Sequence, residues 1–235
     1  FSADTLARGI DCTIIPGRTA PVILGVDLAR FGPNYSTIYV NIDGQVRLVD
    51  KWGGKADEQL VDGMESAARV HQWAQAYGAT EVRIDSEGVG GPILDQVNRL
   101  SEGSYQVIAM KGSRTSPDNY RWVNSRAYWY DKLREDMFNG KIDIDFEDKV
   151  LLEELEQIQY HFKNRFKSLQ IESKEEMEKR GVMSPDHADA AVYAAADMSY
   201  VTESPLGRYQ VGDKISISAQ GFLGMDDLGW VISPL

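Results

Sequence analysis

The sequence predicts an α/β fold in which a mixed β-sheet, with three antiparallel strands followed by parallel strands, is flanked by helices. Two observations support this prediction. Apolar and β-branched runs with a short hairpin signal between them fill residues 22–52, and a strand, a helix and a strand follow one another over residues 81–110. The first pattern is typical of an antiparallel meander, and the second builds parallel strand pairs.

The amino-terminal half supplies the antiparallel part of the sheet. The nearly all-apolar run Val22 to Asp27 is typical of a strand that is buried on both faces. Residues 36–42 and 45–52 form a predicted hairpin, because Asp43-Gly44 between them suits a short turn with positive φ. Apolar residues at helical spacing over 57–77 predict the helix that follows.

Parallel pairing is expected further along the chain. Residues 81–85 form a short predicted strand, a glycine-rich turn occupies 88–91, and a helix over 93–100 leads to a strand over 105–110. The remaining predicted elements are an aromatic-rich helix over 119–138, a strand over 142–144, a helix over 147–156, a hairpin made by 157–162 and 166–171, a short helix opened by a capping box at Ser173, and an alanine-rich helix with Pro185 in its first turn.

Three segments follow from this pattern. Residues 1–20 show no sustained period and are expected to be a lead-in or linker. Residues 21–200 carry the regular elements and form the predicted domain. Residues 201–235 are polar and contain glycine, so we expect this tail to lie outside the core.

The composition suits one globular domain with a substantial core, since the 235 residues are 43% hydrophobic and 26% charged. No apolar stretch is long enough to cross a bilayer. A single cysteine, Cys12, excludes an internal disulfide and a cysteine-rich zinc site, and the cytosol is the expected compartment. The net charge of −11 argues against nucleic-acid affinity that comes from the overall field, but it leaves DNA open as a substrate.

Acidic residues stand at the ends of apolar runs, where an unpaired ion is costly to bury but well placed to bind a divalent cation. The three signatures are Val26-Asp27, Ile84-Asp85-Ser86-Glu87-Gly88 and Ser184-Pro185-Asp186-His187-Ala188-Asp189-Ala190. If they converge, they could hold two hard cations roughly 4 Å apart, as phosphoryl-transfer nucleases require. Mg²⁺ suits carboxylate and water ligands, and Mn²⁺ usually substitutes for it.

Each acid also has a simpler interpretation. Asp27 alone could be a turn residue at a strand exit, and the loop after Asp85 could be an anion cradle at a helix start. Asp186 and Asp189 lie one helical turn apart and could merely stabilise the helix dipole. His187 is expected to be a surface histidine near the start of its helix.

The order of these elements and motifs resembles the nuclease domain of the large terminase subunit of tailed bacteriophages, over roughly Val22 to Met198. The more specific motifs are Asn124-Ser-Arg-Ala127, Ile171-Glu-Ser-Lys-Glu-Glu176, Lys179-Arg-Gly181 and Ser184-Pro-Asp-His-Ala-Asp-Ala190. The resemblance implies a ribonuclease-H-like fold and a two-metal endonuclease that cuts double-stranded viral DNA during genome packaging.

By position, the resemblance implies that Asp27, Asp85 and Asp189 are the catalytic residues and principal metal ligands, with Asp186 as an auxiliary ligand. Glu87 could add a ligand or orient water, or it could be an acid of an exposed loop. The resemblance also implies partners: an ATPase domain, the small terminase subunit and the portal, in the host cytoplasm. No Gly-x-x-x-x-Gly-Lys-Ser/Thr motif occurs, so the chain is expected to cut DNA but not to pump it. The tail could dock on the portal.

Basic side chains outside the acidic signatures are candidates for phosphate contacts, which position DNA without reading its sequence. The candidates are Arg126, Lys163, Arg165, Lys167, Lys179 and Arg180. Solvated faces are the alternative. Aromatic residues of the predicted helix 119–138 could stack on single strands, although core packing explains most of them better.

Three functional hypotheses remain. The leading one is a metal-dependent DNA endonuclease that leaves 3′-hydroxyl and 5′-phosphate ends, the outcome that the resemblance implies. The second is a Holliday-junction resolvase or integrase of the same fold, for which junction-selective cutting would be the signature. The third is a non-catalytic ribonuclease-H-like module that only binds a partner.

Overall fold

A computed structural model describes residues 1–29, 34–54, 63–87, 90–163 and 165–201. The strands are β1 (Val22–Asp27), β2 (Tyr35–Ile42), β3 (Gln45–Gly53), β4 (Glu81–Asp85), β5 (Gln106–Met110), β6 (Asp143–Ile144), β7 (Tyr160–Lys163) and β8 (Ser168–Ile171). The helices are α1 (Ala3–Asp11), α2 (Gly63–Tyr77), α3 (Gly90–Ser101), α4 (Ser125–Phe138), α5 (Lys149–Gln157), α6 (Lys174–Lys179) and α7 (Asp186–Ala195).

The main sheet has six strands in the order β5-β4-β1-β2-β3-β6, and β7 and β8 form a separate hairpin. The strands β1, β2 and β3 pair antiparallel, whereas β4 pairs parallel with both β1 and β5, and β6 pairs parallel with β3. Asp43 and Gly44 join β2 to β3 with φ values of 55° and 95°, which a two-residue turn of this kind requires. The predicted α/β class and the mixed sheet are confirmed.

Helices cover both faces of the sheet, and the alternation of side chains divides the core between them. Leu24 and Val26 of β1 point towards α2 and α3. Gly25 and Asp27 therefore point towards the opposite face, where α7 lies against β1. The contact is close: a Cβ built on Gly25 would lie 2.2 Å from the carbonyl oxygen of Ala190 and 2.2 Å from the amide nitrogen of Ala194. The small residues of α7 permit this approach.

The structure corrects two predicted elements. Residues 1–20 were expected to lack regular structure, but Ala3–Asp11 form α1, which Ser2 caps and which packs against α4 and α5. The aromatic helix was expected from residue 119, but it begins at Ser125, because the extended Asn124 caps it by accepting a hydrogen bond from the amide of Ala127. The domain limits at residues 20 and 200 stay predictions.

Some predictions fall outside the described residues. They concern residues 57–62 of the predicted helix 57–77, residues 88–89 of the glycine-rich turn, and the tail beyond Val201. Across the described ranges, no helix is both long enough and apolar enough to cross a membrane.

Candidate active site

The carboxyl ends of β1 and β4 bring the first two predicted acids together. Val26 of β1 is in register with Ile84 of β4, and the two strands are parallel, so Asp27 and Asp85 follow at adjacent positions. Asp27 is only 3% exposed and lies on the side of the sheet that α7 covers. An oxygen of Asp85 accepts a hydrogen bond from the amide of Glu87 at 2.8 Å, which fixes its side chain at the strand exit.

The amino-terminal turn of α7 supplies the other two acids, and β2 holds this turn in place. The amide of Tyr35 donates to Asp186 Oδ2 at 2.7 Å, and the hydroxyl of Thr37 donates to the carbonyl oxygen of Asp186 at 2.7 Å. Thr37 is also the partner of Asp27 in the β1–β2 ladder. The start of α7 is therefore fixed beside Asp27, and Asp189 one turn later is almost fully buried.

Lys174 joins these acids, and sequence reasoning did not assign it a role. Its ammonium lies 3.5 Å from Asp27 Oδ2 and 3.2 Å from Asp189 Oδ2. The lysine side chain is 44% exposed while the two aspartates are buried, so it covers the acids from the solvent side. The capping box of α6, in which Ser173 and Glu176 bond reciprocally, orients the first turn that carries Lys174.

Asp189 has a second set of partners on α4. Arg126 Nη2 lies 3.2 Å from Asp189 Oδ1, and the hydroxyl of Tyr130 donates to the same oxygen at 2.6 Å. Arg126 also donates to the carbonyl oxygen of Glu172 at 2.8 Å. Arg126 lies among the acids, where its guanidinium neutralises a buried carboxylate, and its predicted contact with DNA stays a prediction.

Burial and mutual repulsion raise the pKa of most of these acids. Burial raises the pKa of Asp27 well above its ordinary value, Lys174 opposes the shift, and Asp189 and Asp85 add to it. For Asp85, burial raises the pKa to about 6 although the Glu87 amide and Lys174 oppose it. The site therefore concentrates more negative charge than its own cations neutralise.

Asp189 and Lys174 shift in the sense that favours their charged forms. Burial pushes the pKa of Asp189 upwards, but the charges of Arg126 and Lys174 outweigh it and hold this pKa below its usual value. Burial likewise disfavours the charged Lys174, but the carboxylates of Asp27 and Asp189 raise its pKa above the ordinary lysine value. The two carboxylates therefore favour the charged form of Lys174.

The described part of the chain contains no group of three or more His, Cys, Asp or Glu side chains arranged to hold a metal ion. Instead, Lys174 lies against oxygens of Asp27 and Asp189, and Arg126 and Tyr130 hold the second oxygen of Asp189. Asp189 Oδ2 is fully buried without a hydrogen-bond donor in the described residues, and Lys174 faces it as an ion-pair partner.

The other predicted contact residues lie apart from the acids or have structural partners. Arg180 forms hydrogen bonds to both carboxylate oxygens of Glu172 and to the carbonyl oxygen of Gln157, so it ties α6 to the end of α5. Lys163, Arg165 and Lys167 are exposed at the tip of the β7–β8 hairpin. Lys179 is exposed on α6.

Two further residues near the acids are now placed. Glu87 Oε1 accepts a hydrogen bond from the amide of Ser113 at 3.2 Å, so this exposed acid ties the end of β4 to the loop after β5. His187 was expected at the surface, but it is 2% exposed. Its Nδ1 lies 2.8 Å from the hydroxyl of Tyr39, which donates to Asp148 Oδ2 at 2.6 Å. A hydrogen-bond partner in the core compensates the burial of the imidazole.

Comparison with known proteins finds matches for the fold but not for the sequence. No family model matches the sequence, and neither does any curated protein. Among solved structures, the nuclease domain of the large terminase subunit gp2 of bacterial virus Sf6 is similar, with a TM-score of 0.70 and 22% identity over 84% of this chain and 98% of that chain. The chain has the fold of a large terminase nuclease domain.

Two more structures extend this comparison. A variant of the Sf6 domain with manganese has a TM-score of 0.69 at 21% identity over 84% of this chain and 98% of that chain. The large terminase nuclease from thermophilic phage G20c with bound cobalt has a TM-score of 0.57 at 17% identity over 81% of this chain and 94% of that chain. The resemblance in sequence motifs is thus matched by a likeness to terminase nucleases over most of the chain, and the predicted ribonuclease-H-like architecture is confirmed.

Proposed function

We propose that this chain is the nuclease domain of a phage large terminase, a divalent-metal-dependent endonuclease that cuts concatemeric double-stranded viral DNA during packaging. One observation supports this most strongly: Asp27, Asp85, Asp186 and Asp189 gather at one edge of the sheet and repel one another there. A fold stabilised only by packing has no use for such a concentration of buried carboxylates, because each buried charge costs several kcal/mol unless it is compensated.

The side chains in this cluster have the chemistry that a hard divalent cation prefers, although the described residues do not arrange three of them around one metal position. They are carboxylates, which Mg²⁺ and Mn²⁺ prefer, and one of their oxygens, Asp189 Oδ2, is buried with the Lys174 ammonium 3.2 Å away as its charged partner. Asp27, Asp85 and Asp189 would hold the metal, with Asp186 as an auxiliary ligand. An incoming cation would compete with the Lys174 ammonium for the oxygens of Asp27 and Asp189.

When two cations are bound, they supply the activation of a water molecule and the stabilisation of the leaving 3′ oxygen. The protein groups provide what surrounds this chemistry. Arg126 and Tyr130 hold Asp189 Oδ1, so the carboxylate stays ionised and keeps one orientation. Lys174 places a positive charge between the acids and solvent, where an approaching phosphodiester would otherwise meet only repulsion.

Double-stranded DNA is the proposed substrate, with contacts from the exposed Lys163, Arg165 and Lys167 at the hairpin tip and from Lys179. The proposed partners are an ATPase domain, the small terminase subunit and the portal, and the proposed place of action is the host cytoplasm. The solved structures support the divalent metal, because related domains are described with manganese and with bound cobalt.

Nicking of supercoiled plasmid with Mn²⁺, and with EDTA as the blank, tests the proposal. We expect the purified chain to nick only with metal, and Asp27→Asn and Asp85→Asn to abolish nicking. Both variants should fold, because each removes one of several repelling charges. Asp95→Asn, at an exposed acid of α3, is the matched control and should nick like the wild type.

Other outcomes would contradict the proposal. Nicking by Asp85→Asn at the wild-type rate would show that the acids take no part in cleavage. Cleavage of a four-way junction in preference to plain duplex would favour a resolvase. Absence of both nicking and calorimetric Mn²⁺ binding would favour a non-catalytic module, in which Lys174 and Arg126 neutralise the acids permanently.

A further inference from the structure

A cavity of about 970 Å³ lies behind the acidic site, between the β7–β8 hairpin, the start of α1 and one side of α4. Tyr130 belongs to both places, because its side chain lines the cavity while its hydroxyl bonds to Asp189. We call this cavity the hairpin groove and define it by Tyr120, Tyr130, Tyr160, Phe162 and Leu169. Nothing in the proposed cleavage chemistry uses it.

Exposed aromatic rings line the hairpin groove. Tyr120, Tyr160 and Phe162 are 69%, 58% and 60% exposed. Tyr160 and Phe162 alternate along β7 with His161 and Lys163, so both rings stand on the same face of the hairpin. Their ring centroids are 5.7 Å apart at an interplanar angle of 79°. A neighbouring pair of large aromatic residues left in solvent marks an interaction surface rather than ordinary surface scatter.

The charges around the groove favour an anionic ligand. Arg121, Arg134 and Lys167 line it, against the carboxylates of Asp131 and Glu156. Asp131 is already satisfied, because both arginines and the indole nitrogen of Trp122 donate to it. Lys167 is exposed at the hairpin tip, next to Arg165, whose guanidinium lies over the ring of Phe166. Arg121 and Arg134 are thus paired with Asp131, and Arg121 also pairs with Glu135, so the positive charge that a ligand could use lies at the hairpin tip, on Lys167 and Arg165.

We propose that the hairpin groove binds an unpaired stretch of DNA, with bases stacked on Tyr160 and Phe162 and phosphates near Lys167 and Arg165. Aromatic rings accept any base because each base has a π-face, whereas bases in a duplex are already stacked and paired. A cavity of about 970 Å³ has room for a few nucleotides. The choice of DNA rather than RNA rests on the proposed nuclease function. The groove adjoins the acidic site through one buried residue, Tyr130, which lines the groove and donates its hydroxyl to Asp189.

Fluorescence anisotropy with a labelled short oligothymidylate, in EDTA so that nothing is cut, tests this proposal. We expect the oligothymidylate to bind more tightly than a duplex of equal length. Phe162→Leu and Tyr160→Leu keep the apolar volume but remove the ring face, so each should weaken binding about ten-fold, while Phe162→Tyr should retain it. The matched control is Phe146→Leu, which removes a 57% exposed ring outside the groove and should leave binding unchanged.

Lys167→Gln supplies an independent readout. It should lower the slope of the salt dependence by roughly 0.7, the contribution of one phosphate contact on a single strand, without changing the preference for unpaired DNA. The proposal is overturned if oligothymidylate does not bind, if Phe146→Leu weakens binding as much as Phe162→Leu, or if a glutamate-rich peptide binds and oligothymidylate does not. Plasmid nicking remains a separate test. Failure of oligothymidylate binding would leave the proposed nuclease intact, and failure of nicking would leave the preference of the groove for an unpaired strand intact.

Discussion

Replacing Gly25 by alanine tests the contact that places α7, and with it Asp186 and Asp189, against the strand that ends in Asp27. A Cβ at residue 25 would lie 2.2 Å from the carbonyl oxygen of Ala190. Ordinary van der Waals contact begins near 3.4 Å, so the helix and the strand must separate by about 1.2 Å. The obstructing atoms belong to the backbone of α7, and no side-chain rotation can relieve the clash.

The cost can be estimated from overpacking of protein cores, which is about 1–3 kcal/mol and occasionally more. We expect Gly25→Ala to cost about 3 kcal/mol, the upper end of that range, because the strand and helix are both held by other contacts. The shift should also move Asp189 away from Asp27. An error of about 1 Å in such a site is enough to cost about a hundred-fold in activity, so any Mn²⁺-dependent nicking should fall by a similar factor.

Urea unfolding of the wild type, Gly25→Ala and Gly17→Ala measures the first effect. Gly17 is the control, because a Cβ there meets its nearest atom, an Asp43 carboxylate oxygen, at 3.7 Å. Its substitution should change the free energy of unfolding by less than about 0.5 kcal/mol. If Gly25→Ala unfolds within that same margin of the wild type, α7 does not lie on the backbone of β1 and the positioning of the acids has to be argued anew.

Two further predictions concern charge. The Mn²⁺ affinity measured by calorimetry should rise as the pH increases through about 6. The raised pKa keeps Asp85 protonated below that value, and a protonated carboxyl does not bind metal. An affinity that is flat between about pH 5 and pH 7 would contradict this prediction. Lys174→Met should lower the free energy of unfolding by about 1–2 kcal/mol at pH 8, a value discounted for the exposure of the lysine. The loss should be smaller at pH 5, because the raised pKa of Asp27 lets this carboxylate take up a proton as the pH falls. Urea unfolding at both pH values checks the sign, and a larger loss at pH 5 would refute it.

Much of the fold could be predicted from local pattern. The all-apolar run of β1, the Asp43-Gly44 turn and the capping box of α6 are each specified within a few residues, and the structure reproduces all three. Where the prediction was wrong, contacts with distant elements or a competing local motif determined the structure. α1 is only nine residues long, but Ala3, Leu6 and Ile10 stand at helical spacing and Ser2 caps the helix, and α4 and α5 pack against it. The aromatic residues before Ser125 suggested an earlier start for this helix, but Asn124 is the N-cap, so the helix begins at Ser125.

The acids of the site were visible in the sequence, but their partners were not. Asp27 and Asp85 are candidates because each lies where an apolar run stops, and Asp189 is a candidate because it lies in the first turn of an alanine-rich helix. Lys174 and Arg126 come from distant segments and carry no local mark, because a lysine in a short charged helix or an arginine before an aromatic run is ordinary. The Glu-Ser-Lys motif at 172–174 belongs to the motifs that resemble terminase nucleases, and it is the signal in the sequence that could identify Lys174.

The hydrogen bonds distinguish Asp186 from Asp27. Asp186 uses Oδ2 to accept the amide of Tyr35, and its carbonyl oxygen accepts Thr37, so it fastens α7 to β2 and has less capacity left for a cation. Asp27 has no such anchor in the described residues and interacts chiefly with other charges. Its position at the end of a central strand needs no carboxylate for structure. Its close ion-pair partner in the described residues is Lys174, the group with which an incoming cation would compete. Cation binding should therefore depend more on Asp27 than on Asp186.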